Sequence, residues 1–234
     1  MAIYVLVPGG FSGSWQWKRD VTKALWVAGH EVHTPSLTGM GERVHLAHPD
    51  INLSTHIQDV VNEITFSDLH EVILVGYSYS GMVITGVADK IPERIAQLVY
   101  VDAWVSEDGQ AATDLLGPQA TSLAMQAVQA YGEGWKLYPN EPDDERLTPQ
   151  PIKTGLEKLS LRNPAASRLS RVFIYCTLEK NGEDLMLVPM TRTAEKVRND
   201  PHWKYFEIES NHSVVKEHPD KIVDILLELA KVAV

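Results

Sequence analysis

A single cysteine, Cys176, stands among 234 residues, so no intrachain disulfide can form and a reducing compartment is expected. Long apolar runs are missing too. Val72-Ile-Leu-Val75 is typical in length, far below the ~20 residues a membrane-spanning helix needs. Basic residues are scarce: Lys and Arg number 21 against 31 Asp and Glu, a formal charge of −10. That balance argues against nucleic acid as a partner, because phosphate binding needs clustered cations. The opening Met1-Ala-Ile-Tyr-Val-Leu-Val carries no basic leader and reads as a strand, so a cytoplasmic location is expected. No internal repeat or low-complexity tract interrupts the chain.

What is present suits one globular domain, residues 1–234, with a sizeable core: 44% hydrophobic and 22% charged residues. Short β-branched runs recur at Ile3–Val7, Glu31–Thr34, Val72–Val75, Gln97–Val101, Val172–Cys176 and Lys204–Ile208. They read as strands buried on both faces of a parallel sheet. Helical patterns lie between them, near Gln16–Ala28, Ser54–Phe66 and Tyr79–Lys90, and again at Asp220–Val232. Alternating β and α elements predict a doubly wound, mostly parallel α/β sheet. Residues 105–170 break the alternation with many Pro and Gly and a weak helical pattern around Asp114–Ala130. So long a connection reads as functional. A cap over the carboxyl ends of the strands accounts for it, with Leu123, Met125, Trp135, Leu137 and Tyr138 covering a surface.

Three segments carry chemistry. Val72-Ile-Leu-Val75 runs into Gly76-Tyr77-Ser78-Tyr79-Ser80-Gly81 and then a helix, the setting of a nucleophile elbow in which Ser78 is exposed on a sharp turn. The usual pattern has glycine two places after the serine, and this chain has Ser80 there. Ser80 as nucleophile would lack a glycine two places before it. An ordinary strand–helix turn explains the segment about as well. The loop Pro8-Gly9-Gly10-Phe11-Ser12-Gly13 follows the first strand. Its spacing does not give the dinucleotide fingerprint. It reads either as a tight turn or as a loop donating a backbone N–H toward Ser78, with Gly10 and Tyr79 as oxyanion donors.

Of nine histidines, His212 follows the last strand, after Ser78 in the chain order this architecture requires of a general base. Two carboxylates compete to orient it. Asp102 ends the strand Gln97–Val101 in apolar surroundings, where an unpaired carboxylate is costly. Glu179 lies in a polar run after the next strand. Asp102 is favoured, and Glu179 stays open. Phe11, Trp15 and Trp104 are candidates to line an apolar pocket, and each fits the core equally well.

Pro8-Gly-Gly-Phe, Gly13-Ser-Trp-Gln-Trp17, Thr34-Pro-Ser-Leu-Thr-Gly-Met-Gly-Glu-Arg43, the Ser78 segment, Leu98-Val-Tyr-Val-Asp-Ala103 and Asn211-His212 together resemble compact bacterial α/β-hydrolases. These are similar to plant methylesterases and hydroxynitrile lyases. The resemblance implies the α/β-hydrolase fold with a small cap inserted after its sixth-strand position. It also implies a serine hydrolase of carboxylesterase type, acting on a small, fairly apolar carboxylic ester, amide, carbamate or lactone. No metal and no cofactor are expected. The partner is a small-molecule substrate, neither membrane nor nucleic acid is expected, and a homodimer stays open. In the plant relatives the acid stands where Glu179 does. Common relatives carry histidine at the position of Pro8. The lyases carry threonine at that of Gly9 and lysine at that of Ser213, departures that favour hydrolysis. A cofactor-free lyase and a non-catalytic ligand-binding protein on the same fold are the alternatives.

Overall fold

Each β-branched run becomes a strand of one sheet. A computed structural model describes residues 1–139, 144–178 and 185–231. Strands β1 (Ile3–Val7), β2 (Glu31–His33), β3 (Val72–Tyr77) and β4 (Ile95–Val101) precede the long insertion. Two short strands, β5 (Lys136–Leu137) and β6 (Gln150–Pro151), lie within it, and β7 (Ser170–Cys176) and β8 (Trp203–Ile208) follow. The main sheet is parallel throughout, in the order β2-β1-β3-β4-β7-β8. Register brings Val7, Gly76 and Tyr100 abreast, and Val101 beside Ile174. The carboxyl ends of β1, β3, β4 and β7 therefore share one edge. The chain runs outward from β1 to β2 and returns to β3, so the switch in strand order falls between β1 and β3. That is where open α/β sheets place ligands.

Helices cover both faces: α1 (Trp15–Lys18), α2 (Val21–Val27), α3 (Leu53–Phe66), α4 (Ser80–Lys90), α5 (Ala112–Tyr131), α6 (Lys153–Leu156), α7 (Val188–Val197), α8 (Val214–Glu217) and α9 (Pro219–Ala230). Two buried layers result. One joins Val5, Leu74 and Tyr100 to α3, α4 and α7; the other joins Tyr4, Ile73 and Val99 to α2 and α9. Gly76 and Gly81 permit the tightest contact. A Cβ on Gly76 would stand 2.7 Å from the Ser80 carbonyl, and one on Gly81 2.2 Å from the Trp104 carbonyl.

Several boundaries differ from the sequence reading. Strand β3 continues to Tyr77, because Gly76 and Tyr77 still pair with Tyr100 and Val101. The helix expected at Gln16–Ala28 is two, α1 and α2, separated at Arg19 and Asp20. In the insertion, α5 is interrupted at Gly117, which takes φ 81° immediately before Pro118. The pairing of β5 with β6 had no sequence signal, each strand being two residues long. Leu123 and Tyr138 do not cover a surface as expected; they are 56% and 47% exposed. Among the described residues no helix is long and apolar enough to cross a membrane.

Candidate active site

Ser78 sits where β3 ends and α4 begins, and its backbone is left-handed at φ 57°. A non-glycine residue there is strained by about 1–3 kcal/mol and persists only if its surroundings over-determine it. They do. The Ser78 N–H donates to the Val101 carbonyl at 3.2 Å, and the Ser78 carbonyl accepts from the N–H groups of Gly81 and Trp104 at 3.1 and 3.0 Å. The end of β4 thus clamps the turn and leaves the hydroxyl half-buried. Ser80, by contrast, is buried, and its hydroxyl donates to the Pro8 carbonyl. It anchors the loop after β1 and is unavailable as a nucleophile.

His212 lies between β8 and α8. Its Nε2 is 3.0 Å from Ser78 Oγ, and its Nδ1 is 2.7 Å from Asp102 Oδ2. The imidazole stacks on Tyr77 (5.0 Å, 23°), and the Tyr77 hydroxyl donates to the His212 carbonyl. Asp102 follows β4, is fully buried, and has φ 41°. Its N–H donates to the Ile174 carbonyl at 2.7 Å, and its Oδ1 accepts from the Cys176 N–H at 3.2 Å. Both carboxylate oxygens are therefore engaged. Strands β3, β4 and β8 bring together three groups separated by up to 134 residues. Glu179, the other carboxylate considered, lies outside the described residues.

The loop after β1 closes over the turn. A Cβ on Gly9 would meet the Tyr77 ring at 2.9 Å and Ser78 Cβ at 3.4 Å; one on Gly10 would lie 3.6 Å from Tyr79 Cβ. Gly9 N–H is held by Gln16 Oε1 at 2.8 Å. Among the described residues no acceptor faces the N–H of Gly10 or of Tyr79. Phe11 is half-buried at φ 62°, with its carbonyl accepting from the Thr148 N–H at 2.8 Å. Trp15 is capped by the Arg146 guanidinium, 4.2 Å from its ring. Trp104 belongs to the core: its ring edge meets Tyr79 and its N–H donates to the Met186 carbonyl at 3.1 Å.

Two residues next to this site were not site candidates from the sequence. Glu42 accepts from Ser14 N–H (3.1 Å) and Oγ (2.6 Å), Trp15 N–H (3.2 Å) and Ser36 Oγ (2.6 Å). It fastens the loop that carries Gly10. Partial burial pushes its carboxyl up, but the hydrogen bonds from Ser14 and Ser36 outweigh that and hold it at about 2. The other is His56, fully buried on α3. Its signal was its place on the apolar stripe of Leu53, Ile57, Val60, Val61 and Ile64. Burial drives its imidazole down to about 4, against smaller opposing contributions from the Thr38 carbonyl and Asp59.

A pH effect on stability follows. Unfolded, the His56 imidazole takes up its proton as pH falls through its ordinary 6.5; folded, it resists until about 4. The unfolded state thus binds more protons in that window, and stability falls as pH drops through it. The contribution from His56 is about 3 kcal/mol. Urea unfolding of wild type and His56→Gln at pH 7 and pH 4.5 should show their stability gap narrowing by an amount of that order. His33, held between Glu31 and Glu63, shifts upward, but it is common to both proteins and cancels. An unchanged gap would refute the assignment.

Comparison with known proteins gives the family. Residues 4–225 match the alpha/beta hydrolase family. A carbendazim hydrolyzing esterase of Nocardioides sp. (strain SG-4G) is 35% identical over 250 residues, spanning 98% of this chain and all of that protein. Methylesterase 1 of Arabidopsis thaliana is 23% identical over 261 residues, spanning 97% of this chain and 95% of that protein. An extracellular alpha/beta-hydrolase from a Paenibacillus species superposes with a TM-score of 0.79 at 20% identity, covering 97% of this chain and 98% of the other. The chain is a carboxylesterase-like hydrolase and belongs to the alpha/beta hydrolase family.

Proposed function

We propose that this enzyme cleaves a small, fairly apolar carboxylic ester through an acyl-enzyme on Ser78, with amides, carbamates and lactones as related substrates. The observation that carries the reading is the unbroken hydrogen-bonded line from Ser78 Oγ through His212 to Asp102.

His212 Nε2 takes the Ser78 proton as Oγ attacks the ester carbonyl carbon, and the carbonyl electron pair moves onto oxygen. That oxyanion rests on the N–H groups of Gly10 and Tyr79, at the edge of the sheet. Donors of this kind are typically worth about 2.7–4 kcal/mol each in the transition state. Asp102 holds Nδ1–H in place, keeps the productive tautomer and stabilises the imidazolium. The proton on Nε2 then passes to the departing alkoxide, which leaves as the alcohol. Water repeats the sequence on the acyl-enzyme, releasing the acid and restoring Ser78. No step calls on a metal or a cofactor. Residues 105–170 act as the cap, its return segment bonded to the loop after β1 through Thr148.

Lyase chemistry is disfavoured by Gly9. A threonine side chain at this position would collide with the Tyr77 ring that supports His212.

The reading is tested with p-nitrophenyl esters of increasing acyl length and a serine-directed fluorophosphonate. Turnover and stoichiometric labelling of one serine support it. Release of cyanide and aldehyde from a cyanohydrin, without ester turnover, would replace it with the lyase reading. Neither activity together with ligand binding would leave a binding protein.

A further inference from the structure

Resting on the hydrolase reading, we propose that His56 is a positioning residue. Through the Tyr79 phenol it fixes the backbone N–H that follows Ser78 in the oxyanion hole.

The hydrogen bonds have a forced direction. His56 Nε2 faces the Thr38 carbonyl at 2.9 Å, and a carbonyl can only accept, so Nε2 carries the proton. A neutral imidazole then offers Nδ1 as an acceptor, and the Tyr79 hydroxyl, 3.0 Å away, donates to it. Burial keeps the imidazole neutral. Thr38 is itself fixed, its N–H and hydroxyl both donating to Asp59 at 2.6 and 2.8 Å. Asp59 lies one turn beyond His56 on α3 and pairs with Arg43 at 3.3 Å. The anchor is rigid from the helix outward.

Tyr79 is the lever. It is buried, and its ring lies edge-on to both His56 (5.8 Å) and Trp104 (6.4 Å). Its phenol is tied to α3 at one end and its backbone to the strained Ser78 turn at the other. Nearby, the Thr154 hydroxyl donates to the Pro151 carbonyl at 2.8 Å and accepts from Gln150 Nε2 at 2.8 Å. Gln150 Oε1 in turn lies against Gly10, 2.6 Å from where a Cβ would stand. A buried polar chain thus runs from Asp59 through Thr38 and His56 to the Tyr79 phenol. It ends on the residue whose backbone N–H is one of the two proposed oxyanion donors, so it fixes that donor against the turn. A shift of a few tenths of an ångström there costs transition-state stabilisation while leaving ground-state binding largely alone.

The test compares Tyr79→Phe, His56→Gln and the double variant on p-nitrophenyl butyrate, with fluorophosphonate labelling of Ser78 in parallel. Each single variant should lower kcat about tenfold or more with KM within about twofold. Labelling should slow by a similar factor. Because both act through one bond, the double variant should be no slower than the slower single. Val223→Ala, in the opposite layer of the core, serves as a destabilised control that keeps wild-type kcat. Should His56→Gln fail to fold, Tyr79→Phe, which deletes one oxygen, decides alone. Wild-type kcat in Tyr79→Phe, a raised KM at unchanged kcat, or additive losses in the double variant would overturn the proposal while leaving the hydrolase reading standing. A wild-type protein that neither turns over ester nor labels would overturn both.

Discussion

Ser78→Ala is expected to lose nearly all turnover, by roughly 10⁴–10⁶-fold, while the protein stays folded. The size of the loss follows from the hydrogen-bonded line, since without Oγ no acyl-enzyme forms and His212 has no proton to accept. The folded state should survive because the clamp on the turn is made by backbone groups: Ser78 N–H to Val101 and Ser78 carbonyl to Gly81 and Trp104. Alanine keeps those bonds, and the left-handed strain at φ 57° is present with either side chain. Thermal unfolding within a few degrees of wild type, together with absent fluorophosphonate labelling, would meet the expectation. Labelling that persists in Ser78→Ala would place the nucleophile elsewhere. Ser80 is not a substitute, since its hydroxyl is committed to the Pro8 carbonyl.

Asp102→Asn is expected to cost about 10⁴-fold, because the amide stabilises the wrong imidazole tautomer and cannot balance the imidazolium charge. Asparagine is the informative replacement. It matches the carboxylate in volume at a fully buried position, and it tolerates the left-handed backbone that Asp102 adopts at φ 41°. Its oxygen can still accept from the Cys176 N–H. Replacing His212 instead would take a hydrogen bond from a buried carboxylate, a change that typically destabilises by about 1–3 kcal/mol and would blur the kinetics. Glu179→Gln is expected to cost little. A folded Asp102→Asn enzyme at near wild-type rate, beside a crippled Glu179→Gln, would transfer the orienting role to Glu179.

The alternation of β-branched runs with helical patterns was enough to foresee a parallel sheet, because strands buried on both faces must be apolar almost throughout. Gly76-Tyr77-Ser78 was legible for a related reason: a strand that must turn sharply into a helix needs small residues at the close approach. His212 stood out from eight other histidines only by its place after the last strand. Chain order and local spacing are properties of sequence, and these features depend on them.

Other features depend on what packs against what. The exposure of Leu123 and Tyr138 could not be foreseen, because composition does not say which surface a cap leaves uncovered. Nor could the two-residue strands β5 and β6, which are too short to carry a period. Asp102 and Glu179 both follow strands, and no spacing rule chooses between them; the position of Asp102 against His212 came from the order of strands in the sheet. His56 read as one more core position of an amphipathic helix. Only tertiary structure set its two ring nitrogens between Thr38 and Tyr79, because a hydrogen bond across 23 residues depends on how α3 lies against α4, and sequence periodicity records only which face of a helix is buried.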